Sequence, residues 1–199
     1  MEVPLRWAAA GLIVLGAGVF VFLYQASERR VDRSSREPLI HWPLYTVIDW
    51  YLKLSTLALS IAAILTDRPW LLELYDHPLP LIAGLLIAGG GLVLFAWAMR
   101  NLGSQYSPAH QSLLPLKVVV TGPYRYLRHP VYTANVLILS GMLIVSGSLW
   151  LLLNLLVLLT YYALVISREE EAIAARFTDY QEYRRHTGRL LPRLFPRRK

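Results

Sequence analysis

Residues 121–132 read Thr-Gly-Pro-Tyr-Arg-Tyr-Leu-Arg-His-Pro-Val-Tyr. Within twelve positions they combine a turn, three tyrosines, two arginines and the imidazole of His129. Proline lacks a backbone donor and restrains the residue before it, so a helix is expected to begin at Pro130, with His129 just outside. Such a helix start exposes free amides that can bind an anionic group. A nearly uncharged run, residues 133–167, follows, and then Arg168 and the carboxylates of Glu169, Glu170 and Glu171. A carboxylate at that boundary can accept hydrogen bonds from ribose hydroxyls or attract a cation. Polar chemistry thus stands at both ends of an apolar hairpin.

Several other chemistries find no support in the sequence. The chain has no cysteine, which removes thiolate zinc sites, disulfides and cysteine nucleophiles. Its five histidines, at 41, 77, 110, 129 and 186, show no i, i+3 or i, i+4 pair and no HExxH pattern, so no metal site is expected. GxSxG, a Walker loop and GxGxxG are also missing, which excludes soluble Rossmann-type enzymes. Asp49 and Lys53 stand four apart in an apolar segment and can pair across one helical turn. Asn135, Asn154, Tyr161 and Tyr162 are expected to form interhelical hydrogen bonds.

The elements that must carry these groups are transmembrane helices. Of 199 residues 55% are hydrophobic, and the mean hydropathy is +0.41. The apolar residues fall in runs near the roughly 20 that cross a bilayer. We expect an all-α integral membrane protein with five spans, at residues 7–24, 44–65, 79–99, 133–145 and 149–167. The first is read as a retained span rather than a signal peptide, and the last two turn at Ser146-Gly147-Ser148. Seventeen of the 20 lysines and arginines lie in segments 28–37, 100–131 and 168–199, which share one side of a five-span topology. The positive-inside rule places the C-terminus in the cytoplasm and the N-terminus outside, in a plasma or inner membrane. The net charge of +7 then reflects loops facing anionic lipid rather than nucleic acid.

The chain divides into N-terminal helices over 1–100 and a core over 101–199 with a cytoplasmic cofactor-binding region. Glycines 84, 89, 90 and 91 are expected to serve close helix packing. Residues 66–78 should form a short outer loop with Trp70 and Tyr75 at the interface. A cytoplasmic helix is expected over 169–186, with Ile173, Phe177 and Tyr180 on one stripe and Gly188 as its cap.

The order TGPYRYLRHPVY, hydrophobic hairpin, REEE, a Phe–Tyr–Tyr helix and TGRLLP resembles the isoprenylcysteine carboxyl methyltransferase family and its phospholipid methyltransferase relatives. The likeness covers residues 102–192. It implies a membrane enzyme that uses S-adenosylmethionine and methylates a lipophilic small molecule or a lipidated substrate drawn from the bilayer. By position it implies that Leu116, Lys117, Val118 and Val119 line the cofactor, with Tyr124, His129, Pro130, Val131, Tyr132 and Glu169. Gln111 matches a cofactor-contacting glutamine when a two-residue gap follows residues 103–106. Where isoprenylcysteine enzymes carry a substrate-binding arginine this chain has Val165, and Arg168 is the nearest candidate. An amine acceptor must lose a proton, for which Glu170 or His129 could serve as base. The competing expectations are an NADPH-dependent membrane reductase of similar C-terminal architecture and a non-enzymatic membrane scaffold.

Overall fold

The computed structural model describes residues 3–31, 37–38, 43–65, 79–108 and 112–193. The described residues contain six α-helices and no strand, as the all-α expectation has it. They are α1 (Val3–Glu28), α2 (Pro43–Leu65), α3 (Leu79–Leu102), α4 (Pro130–Ser146), α5 (Leu149–Arg176) and α6 (Tyr180–His186). Two isolated bridges, Pro38 with Leu113 and Leu127 with Gly188, tie down the connecting segments. The segment 66–78, and with it Trp70 and Tyr75, lies outside the described residues.

Among the described residues three helices are long and apolar enough to cross a membrane: Trp7–Glu28, Leu79–Gln105 and Leu149–Arg176. The other two expected spans differ from these. The 17 residues of α4 extend about 25 Å at 1.5 Å per residue, short of a bilayer core near 30 Å. The 23-residue α2 carries Asp49 and Lys53 in its middle. Outward faces expose large apolar residues such as Phe22, Leu86, Val93 and Leu156, as a lipid-facing surface would.

The tightest packing is between α3 and α4. Buried residues of α3 fall at Leu81, Gly84, Ala88, Gly91, Phe95 and Ala98, a stripe alternating steps of three and four. A Cβ on Gly84 would come within 2.6 Å of the Gly141 carbonyl oxygen, and one on Gly91 within 2.9 Å of the Ala134 oxygen. The backbones therefore touch, which is how helices associate in lipid, where apolar side chains gain little from meeting each other. Gly89 and Gly90 have nothing within 4 Å and take no part in this contact.

The hairpin turns where expected. Gly147 caps α4 at φ +61°, a left-handed conformation that glycine adopts without steric cost, and its N–H donates to the Leu143 carbonyl at 2.8 Å. Asn154 of α5 donates to Ser55 Oγ of α2 at 2.9 Å, and Asn135 of α4 to Tyr162 Oη of α5 at 2.8 Å.

The expected helix over 169–186 is corrected. Instead, α5 runs unbroken to Arg176, residues 177–179 form a turn, and a separate α6 starts at Tyr180. Arg, Glu and Ala are all good helix formers, so leaving the apolar run gives the backbone no reason to stop. Gly188 is not a cap. It lies in the parallel bridge with Leu127, where a Cβ would strike the Leu191 carbonyl oxygen.

Candidate functional site

The helix start at Pro130 is as the sequence suggests. His129 is its N-cap at φ −126° and ψ 58°, and Pro130 occupies the first helical position. Just upstream, Gly122 sits at φ +57°, with the Asn101 side chain where a Cβ would be. The turn is then strapped by the C-terminal segment. Gly188 N–H donates to the Tyr126 carbonyl at 3.1 Å, Arg128 N–H to the Gly188 carbonyl at 2.8 Å and His129 N–H to the Arg189 carbonyl at 3.2 Å. Thr133 Oγ1 adds a bond to the Leu190 carbonyl at 2.9 Å.

Against this turn α5 brings Glu169 and Glu170, and consecutive helical positions point about 100° apart. Glu169 accepts hydrogen bonds from Ser112 Oγ and from Tyr132 Oη, the latter 3.0 Å from both carboxylate oxygens. His129 Nδ1 is 3.9 Å from Glu169 Oε2. Glu170 is fully enclosed. Around it stand Arg128 Nε at 2.7 Å, Arg189 Nη2 at 3.0 Å, His129 Nε2 at 3.2 Å and Arg184 Nη2 at 3.6 Å. A carboxylate held by three guanidinium groups is a charge hub joining α5 to the turn, α6 and the strap.

Beside Glu169 lies a cavity of about 120 Å³. Eight of the residues singled out from sequence line it: Lys117, Val118, Val119, Tyr124, His129, Val131, Tyr132 and Glu169. Four others do not. Pro130 is buried as the first residue of α4. Leu116 is exposed, and only its N–H is engaged, by Gln105 Oε1 at 2.8 Å. Glu170 sits behind the cavity wall as the hub just described, not as a base facing a reactant. Arg168 is exposed on another face of α5, where Nη1 lies 3.4 Å from Tyr45 Oη of α2. Gln111 lies outside the described residues.

The sequence reading missed Gln105, Ser112, Arg128, Tyr180 and Tyr183 as lining residues. Gln105 holds the 116–117 turn through its amide oxygen, and the i, i+3 pair Tyr180–Tyr183 was the signal for the last two. Tyr183 donates to the Tyr124 carbonyl at 2.6 Å. Burial pushes its phenol up to about 12, against the pull of the Arg128 guanidinium. Burial also raises Tyr124 and Tyr180 above the ordinary tyrosine value. All three hydroxyls are therefore protonated donors at neutral pH. Rings, hydroxyl donors and one carboxylate form a surface suited to a nucleoside bearing a positive charge.

Tyr132 packs on His129 with ring centres 5.5 Å apart, and on its other side against Tyr162 at 4.4 Å. Beyond Tyr162 is a second cavity, of about 420 Å³ and mostly apolar, bounded by α1 to α5. Asp49 and Lys53 face it, paired at 2.6 Å as expected, with Lys53 Nζ 4.6 Å from the Tyr24 ring centre.

A family model described as phospholipid methyltransferase matches residues 79–179, from the start of α3 to the turn after α5. The chain is also 36% identical over 78 residues to the cobalt-zinc-cadmium resistance protein CzcN of Cupriavidus metallidurans, a stretch that is 39% of this chain and 36% of that protein. It is 33% identical over 79 residues to the nickel-cobalt-cadmium resistance protein NccN of Alcaligenes xylosoxydans xylosoxydans, covering 39% and 37%. The matches span little over a third of either curated relative, and the metal resistance in those names belongs to those proteins.

Proposed function

We propose that this chain, which belongs to the phospholipid methyltransferase family, is a membrane enzyme that transfers a methyl group from S-adenosylmethionine to a lipophilic acceptor. The observation that carries this reading is the meeting of Tyr132 and Glu169. Separated by 37 positions in the chain, they bond at 3.0 Å on the wall of one cavity, among tyrosine rings. Bound there, S-adenosylmethionine would supply a methyl group carried on a positively charged sulfur.

The chain's own residues bind and orient. Glu169 accepts from the ribose hydroxyls, and Ser112 and Tyr132 hold its carboxylate in place. The amides at the start of α4, beside His129, receive the amino-acid carboxylate. The faces of Tyr124 and Tyr180 attract the sulfonium, each such contact contributing about 0.5–2 kcal/mol. Five spans, a cytoplasmic C-terminus and cofactor entry from the cytoplasm complete the proposal; the lysine and arginine asymmetry supports them.

Titration calorimetry of S-adenosylhomocysteine and of NADPH on the detergent-solubilised protein tests the reading. We expect S-adenosylhomocysteine to bind and NADPH not to, with Glu169→Gln and Tyr132→Ala weakening the former while the protein stays folded. Unchanged affinity in both variants would remove the assigned pocket, and a preference for NADPH would replace the reaction.

A further inference from the structure

The second cavity bears on acceptor choice, and this inference rests on the methyl-transfer reading. About half of its wall comes from α1 and α2, which precede the segment matched to the family, so it is a part in which this chain can differ from its relatives. Small residues keep it open. Gly16 of α1 and Gly89 of α3 both line it, and a Cβ on either would meet nothing within 4 Å. Apolar side chains such as Ile13, Leu57, Leu139 and Leu158 make most of its wall, and Asp49, Lys53, Asn135 and Tyr162 are polar groups on it.

Those polar groups restrict what can bind. Asp49 and Lys53 close on each other at 2.6 Å, and their side chains are only 14% and 29% exposed. Lys53 Nζ is covered further by the Tyr24 and Trp50 rings, 4.6 and 5.5 Å from their centres. An entering phosphate or carboxylate would meet an ammonium already paired and a carboxylate of its own sign. An entering ammonium would have to displace Lys53. In an apolar setting either exchange leaves a charge without its partner. The neighbouring pair offers a different match. Asn135 Nδ2 donates to Tyr162 Oη at 2.8 Å, which leaves the Tyr162 hydroxyl proton to donate and the Asn135 carbonyl oxygen to accept. A hydroxyl, thiol or neutral amine supplies one acceptor and one donor to that pair.

We propose that the intramembrane cavity binds a single-chain amphiphile whose head group is uncharged and protic, seated against Asn135 and Tyr162, and that the closed Asp49–Lys53 pair rejects anionic head groups. Gly16 and Gly89 are the residues that admit the chain.

The test uses the full protein in nanodiscs and the fluorescence of Trp50, which lines the cavity, with Trp50→Phe as the background. The probes are 2-bromododecan-1-ol and 2-bromododecyl phosphate, whose bromine quenches indole on contact. Quenching by the alcohol is expected at concentrations at least tenfold lower than by the phosphate. It should be lost in Gly16→Leu and Gly89→Leu, which fill the space. It should persist in Gly18→Leu and Gly90→Leu, where an added Cβ also meets nothing within 4 Å but neither residue lines the cavity. Asp49→Asn, which frees Lys53 from its counter-ion, should bring the phosphate to the alcohol's affinity. Equal affinities in the unaltered protein, or quenching untouched by both filling substitutions, would overturn the proposal. S-adenosylhomocysteine binding on the same samples separates the two readings. Its absence with the probe discrimination intact sinks the reaction alone, and its presence with no discrimination sinks the acceptor class alone.

Discussion

The two chambers, one lined by Tyr132 and the other by Tyr162, treat charge in opposite ways. In the polar one, carboxylates at adjacent positions of α5 collect partners from the 112 segment, the 128–132 turn, α6 and the C-terminal strap. In the apolar one, Asp49 and Lys53 satisfy each other within one turn of α2. Charges that recruit distant segments hold the architecture, so losing one loosens several elements together. A local pair neutralises itself and leaves the architecture to side-chain packing.

The largest effect should come from the hub. Glu170→Ala leaves Arg128, Arg184, Arg189 and His129 around an empty centre, and breaking a buried ion pair from one side costs about 3–5 kcal/mol. A lower midpoint of thermal unfolding and faster tryptic cleavage at residues 184–189 are expected, and a midpoint equal to wild type would remove the hub from the comparison. Next in size is Glu169→Gln, which keeps the shape and removes the charge. Hydrogen bonds to charged groups contribute about 1.5–3 kcal/mol, so S-adenosylhomocysteine affinity should fall roughly ten- to a hundredfold by calorimetry with little change in the unfolding midpoint. A shift in midpoint as large as that of Glu170→Ala would erase the distinction between the two glutamates.

In the apolar chamber, Lys53→Leu alone should destabilise by about 1–3 kcal/mol, because it removes the 2.6 Å ion pair from Asp49. The double substitution Asp49→Leu with Lys53→Leu should recover that loss or exceed wild type. A double variant less stable than the single one would show that this pair, like the hub, ties segments together. The smallest effect is expected from Tyr183→Phe, about 1 kcal/mol for its bond to the Tyr124 carbonyl. The Tyr183 phenol titrates near 12 when folded and near 10 when unfolded, so the folded chain holds this proton more tightly. Its contribution is full below pH 10 and disappears as pH climbs to 12. Alkaline unfolding curves should show that loss in the wild type and a shallower one in the phenylalanine variant.

What the sequence disclosed followed from local backbone rules. Proline at 130 set the start of α4, Gly147 set the hairpin turn, and the apolar runs set the long helices. Charge misled the reading of α5. Hydropathy ends at Ser167 but helix propensity does not, so one helix was divided into two. Arg168, the arginine nearest to Val165 in the chain, emerges beside Tyr45. Gln105, Arg184 and Arg189 were illegible for another reason. Their partners are 11, 14 and 19 positions away and are fixed by the path of the chain, not by any motif. Of the two catalytic candidates, Arg168 lies beside Tyr45 and Glu170 is enclosed among arginines.

The 28 residues of α5 make a rod about 42 Å long, about a dozen ångströms beyond a typical hydrocarbon core. One end is clamped to α2 through Asn154, and the other bears Glu169. A bilayer that thickens or thins must tilt this rod or stretch around it. The height of the carboxylate above the lipid is thereby geared to the thickness of the membrane in which the protein sits.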